Sequence, residues 1–124
     1  MSKLAPKLAK GNDLDVEGLS NQKKVIENYK NDPLVHDRVS FGFGMEMYNA
    51  AEFLNKYSTN DLPKKTLLVH SKNDWLTSAK ATEAFYGRNS ENATLRLWDD
   101  KMHELHNSVE QNEILAYYHD WMRI

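Results

Sequence analysis

At 124 residues the chain has room for one small domain. Its formal net charge of -2 gives no electrostatic reason to expect nucleic acid or an anionic membrane as partner. The absence of cysteine excludes disulfides and thiolate chemistry and fits a reducing, cytoplasmic setting, while a mean hydropathy of -0.74 implies that much of the chain is solvated or borrows a partner.

Met1 to Lys10 is basic but has no long apolar stretch, so it does not read as a signal peptide. No run approaches the roughly 20 apolar residues of a spanning helix, which leaves peripheral membrane contact open. Residues 1–19 are polar and broken by Pro6, Gly11 and Gly18, and the expectation is loop with at most a short helix. Ser20 reads as an N-cap for a helix over 21–30, with Val25, Ile26 and Tyr29 on one face. Asn31-Asp32-Pro33 ends it, because the residue before proline avoids the helical region.

Phe41, Phe43, Met45 and Met47 alternate like a strand, yet Phe43, Met47, Ala50, Leu54 and Tyr57 fall at helical spacing. Length and the alanines favour a helix from about Gly44. Its aromatic and methionine set is read as a buried face, with lipid binding as the alternative. Thr59-Asn60-Asp61-Leu62-Pro63 is a linker and the best internal boundary, dividing residues 1–60 from 61–124.

Beyond the linker the pattern becomes strand, helix, strand, helix. Lys65–His70 is a short buried-type strand, and Ser78–Tyr86 is a helix closed by Gly87. In Ala93–Trp98, Ala93, Leu95 and Leu97 alternate against Thr94, Arg96 and Trp98, as in a strand. Ser108 and Gln111 form a capping-box pattern ahead of a helix with Ile114, Leu115, Tyr118, Trp121 and Met122 on its apolar face. One βαβ unit of this length implies two parallel strands.

Two residues carry the chemistry. Asp74 follows the first strand and His103 the second, and ligands gather beyond the carboxyl ends of parallel strands. Asp74 alone could simply cap its own turn, and His103 alone could be a surface residue. Together they are expected beyond the same ends of neighbouring strands, where a carboxylate can orient a histidine base. His106 is the competing histidine. With Glu104 it makes too few ligands for a closed metal site, so no metal is expected. His36, His70 and His119 read as structural or solvated.

Ser20-Asn21, the stretch Glu27-Asn28-Tyr29-Lys30-Asn31-Asp32-Pro33-Leu34-Val35-His36, Leu67-Leu68-Val69-His70 with Asn73-Asp74, and Leu95–Trp98 followed by His103-Glu104-Leu105-His106-Asn107 resemble monoacylglycerol lipases and related lysophospholipase-type α/β-hydrolases. The similarity runs from about Leu4 to Met122. It implies the C-terminal fragment of an α/β-hydrolase fold: a helical cap segment, residues 1–60, over an acyl pocket, then the last two strands and their helices, residues 61–124. Asp74 and His103 would be two members of a Ser-His-Asp triad acting on a lipid ester such as a monoacylglycerol or lysophospholipid, with no cofactor. The sequence departs from the family at Ser71, where glycine is common and a less tight turn is expected, and at Met102, where an aromatic is usual.

No Gly-x-Ser-x-Gly elbow occurs in the 124 residues. In the order nucleophile, acid, histidine, the serine is expected upstream of Met1. The chain by itself is then expected to be inactive, and to associate with itself or with a partner supplying the missing strands. The rival expectation is a non-catalytic lipid-binding or regulatory module derived from such a hydrolase.

Overall fold

The computed structural model describes residues 7–57 and 62–123. Most of the expected linker lies outside them. Two small sheets organise the described residues. The first joins β1 (Ala9–Gly11) to β2 (Arg38–Ser40) in antiparallel register, Lys10 opposite Val39. The strand at 9–11 corrects the expectation of loop with at most a short helix over residues 1–19: three-residue strands carry no readable alternation, and their pairing spans almost thirty residues.

Between β1 and β2 a 3-10 turn at Val16–Gly18 leads to α1 (Lys23–Asn31). Ile26 is buried, and Val25 and Tyr29 are half-buried beside it, as their spacing predicts. Ser20 is not the N-cap. That place falls to Gln22, whose side chain makes no capping bond. The Ser20 hydroxyl instead accepts from Gln22 N and donates across the fold to the Asn107 carbonyl at 2.6 Å. Asp32, extended at ψ 117° before Pro33, ends the helix.

The next helix, α2 (Phe41–Lys56), starts three residues before Gly44. Ser40 sets its start by accepting from Phe43 N, which outweighs the strand-like alternation that follows. None of its residues is buried, and Phe43, Met45, Met47, Tyr48, Phe53 and Leu54 are exposed. The expectation of a buried face is therefore wrong within the described residues.

The second sheet is the expected parallel pair. β3 (Thr66–Ser71) lies beside β4 (Ala93–Trp98), with Thr66 opposite Ala93 and Ser71 opposite Trp98. The α3 helix (Ala79–Arg88) links them, its Ser78 cap accepting from Ala81 N. It runs through Gly87 and closes at buried Asn89, whose amide donates to the Phe85 carbonyl. A side chain reaching back to the last turn replaces the expected glycine cap.

The last helix, α4 (Gln111–Met122), covers the sheet face that carries Val69 and Trp98. Trp98, Leu105 and Ile114 form the buried cluster, bordered by Val69, Tyr117 and Tyr118. Trp98 meets Tyr117 edge to face, and the Arg96 guanidinium lies 4.7 Å from the centre of its indole. Tyr117 replaces two residues of the expected apolar face, since Leu115 and Met122 are exposed. The capping box does not form either: Gln111 N bonds the Ser108 carbonyl, and the buried Ser108 hydroxyl has no partner among the described residues.

Candidate active site

Because Ser71 and Trp98 are the last paired residues, the loops that follow β3 and β4 leave the sheet from one edge. Ser71, 1% exposed, donates its hydroxyl to the Lys101 carbonyl and accepts from Asn73 N. In this position, where glycine is common in the family, the serine laces the two loops together. Asn73 adds a bond to Asp100, and Lys72 N one to the Trp98 carbonyl.

Asp74 uses its two oxygens differently. Oδ1 accepts from Leu76 N at 2.8 Å and Thr77 N at 3.0 Å, the turn-capping role open to any aspartate. Oδ2 accepts from the Thr77 hydroxyl at 2.7 Å and lies 2.8 Å from His103 Nδ1. The carboxylate side chain is 2% exposed, the His103 side chain 39%. Burial pushes the Asp74 pKa up, but the hydrogen bonds from Thr77 Oγ1, His103, Thr77 N and Leu76 N outweigh it and hold the pKa down at about 2, against an ordinary 3.8.

An ionised carboxylate only accepts, so His103 Nδ1 must carry the proton in this bond. Its Nε2, on the far side of the ring, has no protein partner among the described residues. That is the arrangement of an oriented base with its acceptor nitrogen presented outward.

His103 is held by a segment far away in sequence. Its backbone N–H donates to the Gly18 carbonyl at 3.0 Å, and Glu104 N to the Leu19 carbonyl at 2.8 Å. Gln22 Nε2 reaches the carbonyls of Asn107 and Ser108. Asp15 takes the indole N–H of Trp75, next to Asp74. Residues 15–22 thus clasp both loops. The absence of a side chain at Gly18 lets the clasp close: a Cβ there would lie 2.7 Å from Trp75 Nε1 and 2.9 Å from Leu76 Cγ. Gly18→Ala should destabilise the fold by about 1–3 kcal/mol through overpacking. Urea unfolding measures this, and an unchanged midpoint would show that the clasp yields without cost.

The structure brings Asp74 and His103 together and leaves His106 outside, exposed on the 3-10 turn Leu105–Asn107. It also places a residue that the sequence reading set aside. His70, read as structural or solvated, lies with Nε2 3.1 Å from the same Asp74 Oδ2. The available signal was position: His70 ends the apolar run of β3, four residues before Asp74. Among the described residues no cluster of His, Cys, Asp and Glu is arranged to hold a metal ion, and no helix is long and apolar enough to cross a membrane.

The low pKa of Asp74 couples the site to stability. The folded value is depressed, so the contribution is present above the unfolded pKa of 3.8 and is lost as pH falls towards about 2. The shift corresponds to about 2 kcal/mol. Urea titrations at pH 5 and pH 2 should show a larger acid loss for the parent chain than for Asp74→Asn; equal losses would contradict the assignment.

With this geometry in view, a family model described as serine aminopeptidase, S33, matches residues 1–110. The chain belongs to that family. An uncharacterized abhydrolase domain-containing protein of Dictyostelium discoideum is 33% identical over 123 residues, covering 97% of this chain and 13% of that protein. A monoacylglycerol lipase of Mycolicibacterium smegmatis is 28% identical over 131 residues, covering 98% of this chain and 44% of the lipase. Among solved structures, a monoacylglycerol lipase of Paleococcus ferrophilus superposes with a TM-score of 0.89 at 25% identity, covering 97% of this chain and 47% of that one. A soluble variant of monoglyceride lipase from Saccharomyces cerevisiae gives 0.85 at 19% identity, covering 98% and 45%, and speaks for the fold alone. The fold is thus that of part of an α/β-hydrolase, and the chain spans under half the length of these serine aminopeptidase-like relatives.

Proposed function

We propose that this chain supplies the acid and the base of a serine ester hydrolase. The observation that carries the reading is the 2.8 Å contact between buried, ionised Asp74 and outward-facing His103. Asp74 fixes the Nδ1–H tautomer of His103 and stabilises the imidazolium formed when Nε2 takes a proton. His103 removes the proton from a serine hydroxyl as that oxygen attacks the ester carbonyl. It then returns the proton to the leaving alcohol, and in the second half-reaction it activates water to release the acid. None of the serines within the 124 residues stands in an elbow, so the nucleophile comes from a segment carrying Gly-x-Ser-x-Gly.

The substrate class we propose is the carboxylic esters of single-chain lipids, monoacylglycerols or lysophospholipids. Support comes from the resemblance to the Mycolicibacterium and Paleococcus lipases and from the exposed apolar side chains of α2. Residues 1–60 would serve as the cap and 61–124 as the part of the core that carries the acid and base. The same apolar surface favours a second reading, a lipid-binding or regulatory module, because it needs no nucleophile.

A chimera separates the two. Residues 7–123 replace the matched part of the Paleococcus lipase, which provides the remaining strands and the nucleophile. The hydrolase reading expects release of fatty acid from 1-monooleoylglycerol or the corresponding lysophosphatidylcholine. A folded chimera that binds these lipids but cleaves neither would leave only the module.

A further inference from the structure

The Asp74 carboxylate touches two imidazoles, and the catalytic reading uses only one. His70 sits at the end of β3, with its side chain 13% exposed. Its Nδ1 is 2.8 Å from the hydroxyl of Thr82, on the first turn of α3, and its Nε2 is 3.1 Å from Asp74 Oδ2. Thr77 Oγ1 lies between the rings, 3.3 Å from His70 Nε2 and 3.3 Å from His103 Nδ1.

These contacts determine the protons. Asp74 accepts only, so the His70 nitrogen that faces it is Nε2–H. In the neutral ring the other nitrogen, Nδ1, is then a lone pair and receives the Thr82 hydroxyl proton. The Thr77 hydroxyl has a single proton, which the shorter 2.7 Å contact assigns to Asp74. The chain Thr82 → His70 → Asp74 ← His103 is therefore consistent at every link.

Its mechanical meaning lies in where each donor is anchored. Leu76 N, Thr77 N and Thr77 Oγ1 belong to the turn that Asp74 itself occupies. His103 belongs to the second loop. Only His70 connects the carboxylate to the sheet, and through Thr82 to α3. The backbone of the turn is tied to the sheet edge by Asp74 N on the Ser71 carbonyl and Asn73 N on the Ser71 hydroxyl, but without His70 no side chain of the sheet would hold the Asp74 carboxylate itself. A base of this kind works only while its partner stays within hydrogen-bond reach.

We propose that His70 is a positioning residue: a second imidazole, anchored to α3 by Thr82, that ties the Asp74 carboxylate to the β3–α3 body and so keeps it aligned on His103. This rests on the acid–histidine reading of the site. The hydrogen-bond contacts of the His70 ring are with Thr82, Thr77 and Asp74, not with His103 Nε2.

The test is nitrogen-15 NMR of the imidazole rings in the 124-residue chain, under alkaline conditions in which both rings are neutral. The parent chain should show His70 protonated on Nε2 and His103 protonated on Nδ1, the latter with a slowly exchanging low-field proton. In His70→Phe that proton should exchange about tenfold faster or more, the consequence of losing one hydrogen bond to a charged acceptor. His70→Gln, which can present an amide N–H to Oδ2, should restore slow exchange. Thr82→Val, of nearly the same shape and away from Asp74, removes the bond that anchors the His70 ring to α3; it should loosen the ring and accelerate exchange at His103, and it provides the answer if His70→Phe fails to fold. An unchanged His103 proton in folded His70→Phe, or in Thr82→Val, overturns the role of His70 while leaving the Asp74–His103 pair intact. A parent chain in which His103 carries no Nδ1 proton overturns the acid–histidine reading and this inference with it.

Discussion

Asp74→Asn in the lipase chimera should lower kcat for monoacylglycerol about 10⁴-fold, a loss of about 5.5 kcal/mol in transition-state stabilisation, with KM little changed. Asparagine has nearly the shape of aspartate, and its carbonyl oxygen can still take the backbone N–H groups of Leu76 and Thr77. Its amide then points at His70 and His103. Donor meets donor at His103 Nδ1, so the ring gains by moving its proton to Nε2, the nitrogen required to be a base. The imidazolium formed during attack also loses the carboxylate that stabilises it. Binding of the acyl chain depends on apolar surface elsewhere, so the damage falls on turnover. Initial-rate kinetics separate the two constants. A variant that loses KM but keeps kcat would move Asp74 out of the chemistry and into substrate binding.

The second large effect concerns stability. Ile114 is fully buried against Trp98 and Leu105, where α4 meets the parallel strands. Ile114→Ala should cost about 2–5 kcal/mol, through lost transfer energy and the cavity left behind. Only six hydrophobic residues among those described are buried, so little else can compensate. That cost is comparable to the whole stability of a marginal domain. Leu34→Ala, at a side chain 87% exposed, should change stability by less than about 0.5 kcal/mol. Urea unfolding of both variants checks the contrast, and similar midpoints would mean that the Trp98 cluster is not the centre of the fold.

The parallel pair was legible in the sequence because a strand of six residues shows its alternation and its apolar run without help from the rest of the chain. Once β3 and β4 are neighbours, the loops at Asp74 and His103 must open from one edge, so their juxtaposition follows from topology. The local rules failed where tertiary contacts compete. Ser20 looked like a helix cap, but its hydroxyl is engaged with Asn107, eighty-seven residues away. Gly18 read only as one of the breaks in a polar, loop-like stretch, and its actual role, the close approach of Trp75 and Leu76, depends on a neighbour absent from its own segment. His70 needed α3 folded back over β3 before its partner Thr82 could be seen. The face of α2 failed in another way: helical spacing shows that Phe43, Met47 and Leu54 share a side, but not whether anything in the chain covers it.

The most direct test is the rate at which a fluorophosphonate labels the elbow serine of the chimera, because that reaction reports activation of the nucleophile without a substrate pocket. The account predicts that the chimera labels at one serine, that His103→Ala slows labelling about 10³-fold or more, and that His106→Ala leaves it unchanged. It also predicts that the 124 residues alone, which contain no elbow serine, do not label. Labelling that is indifferent to His103, or lost with His106 instead, would contradict the assignment of His103 as the base.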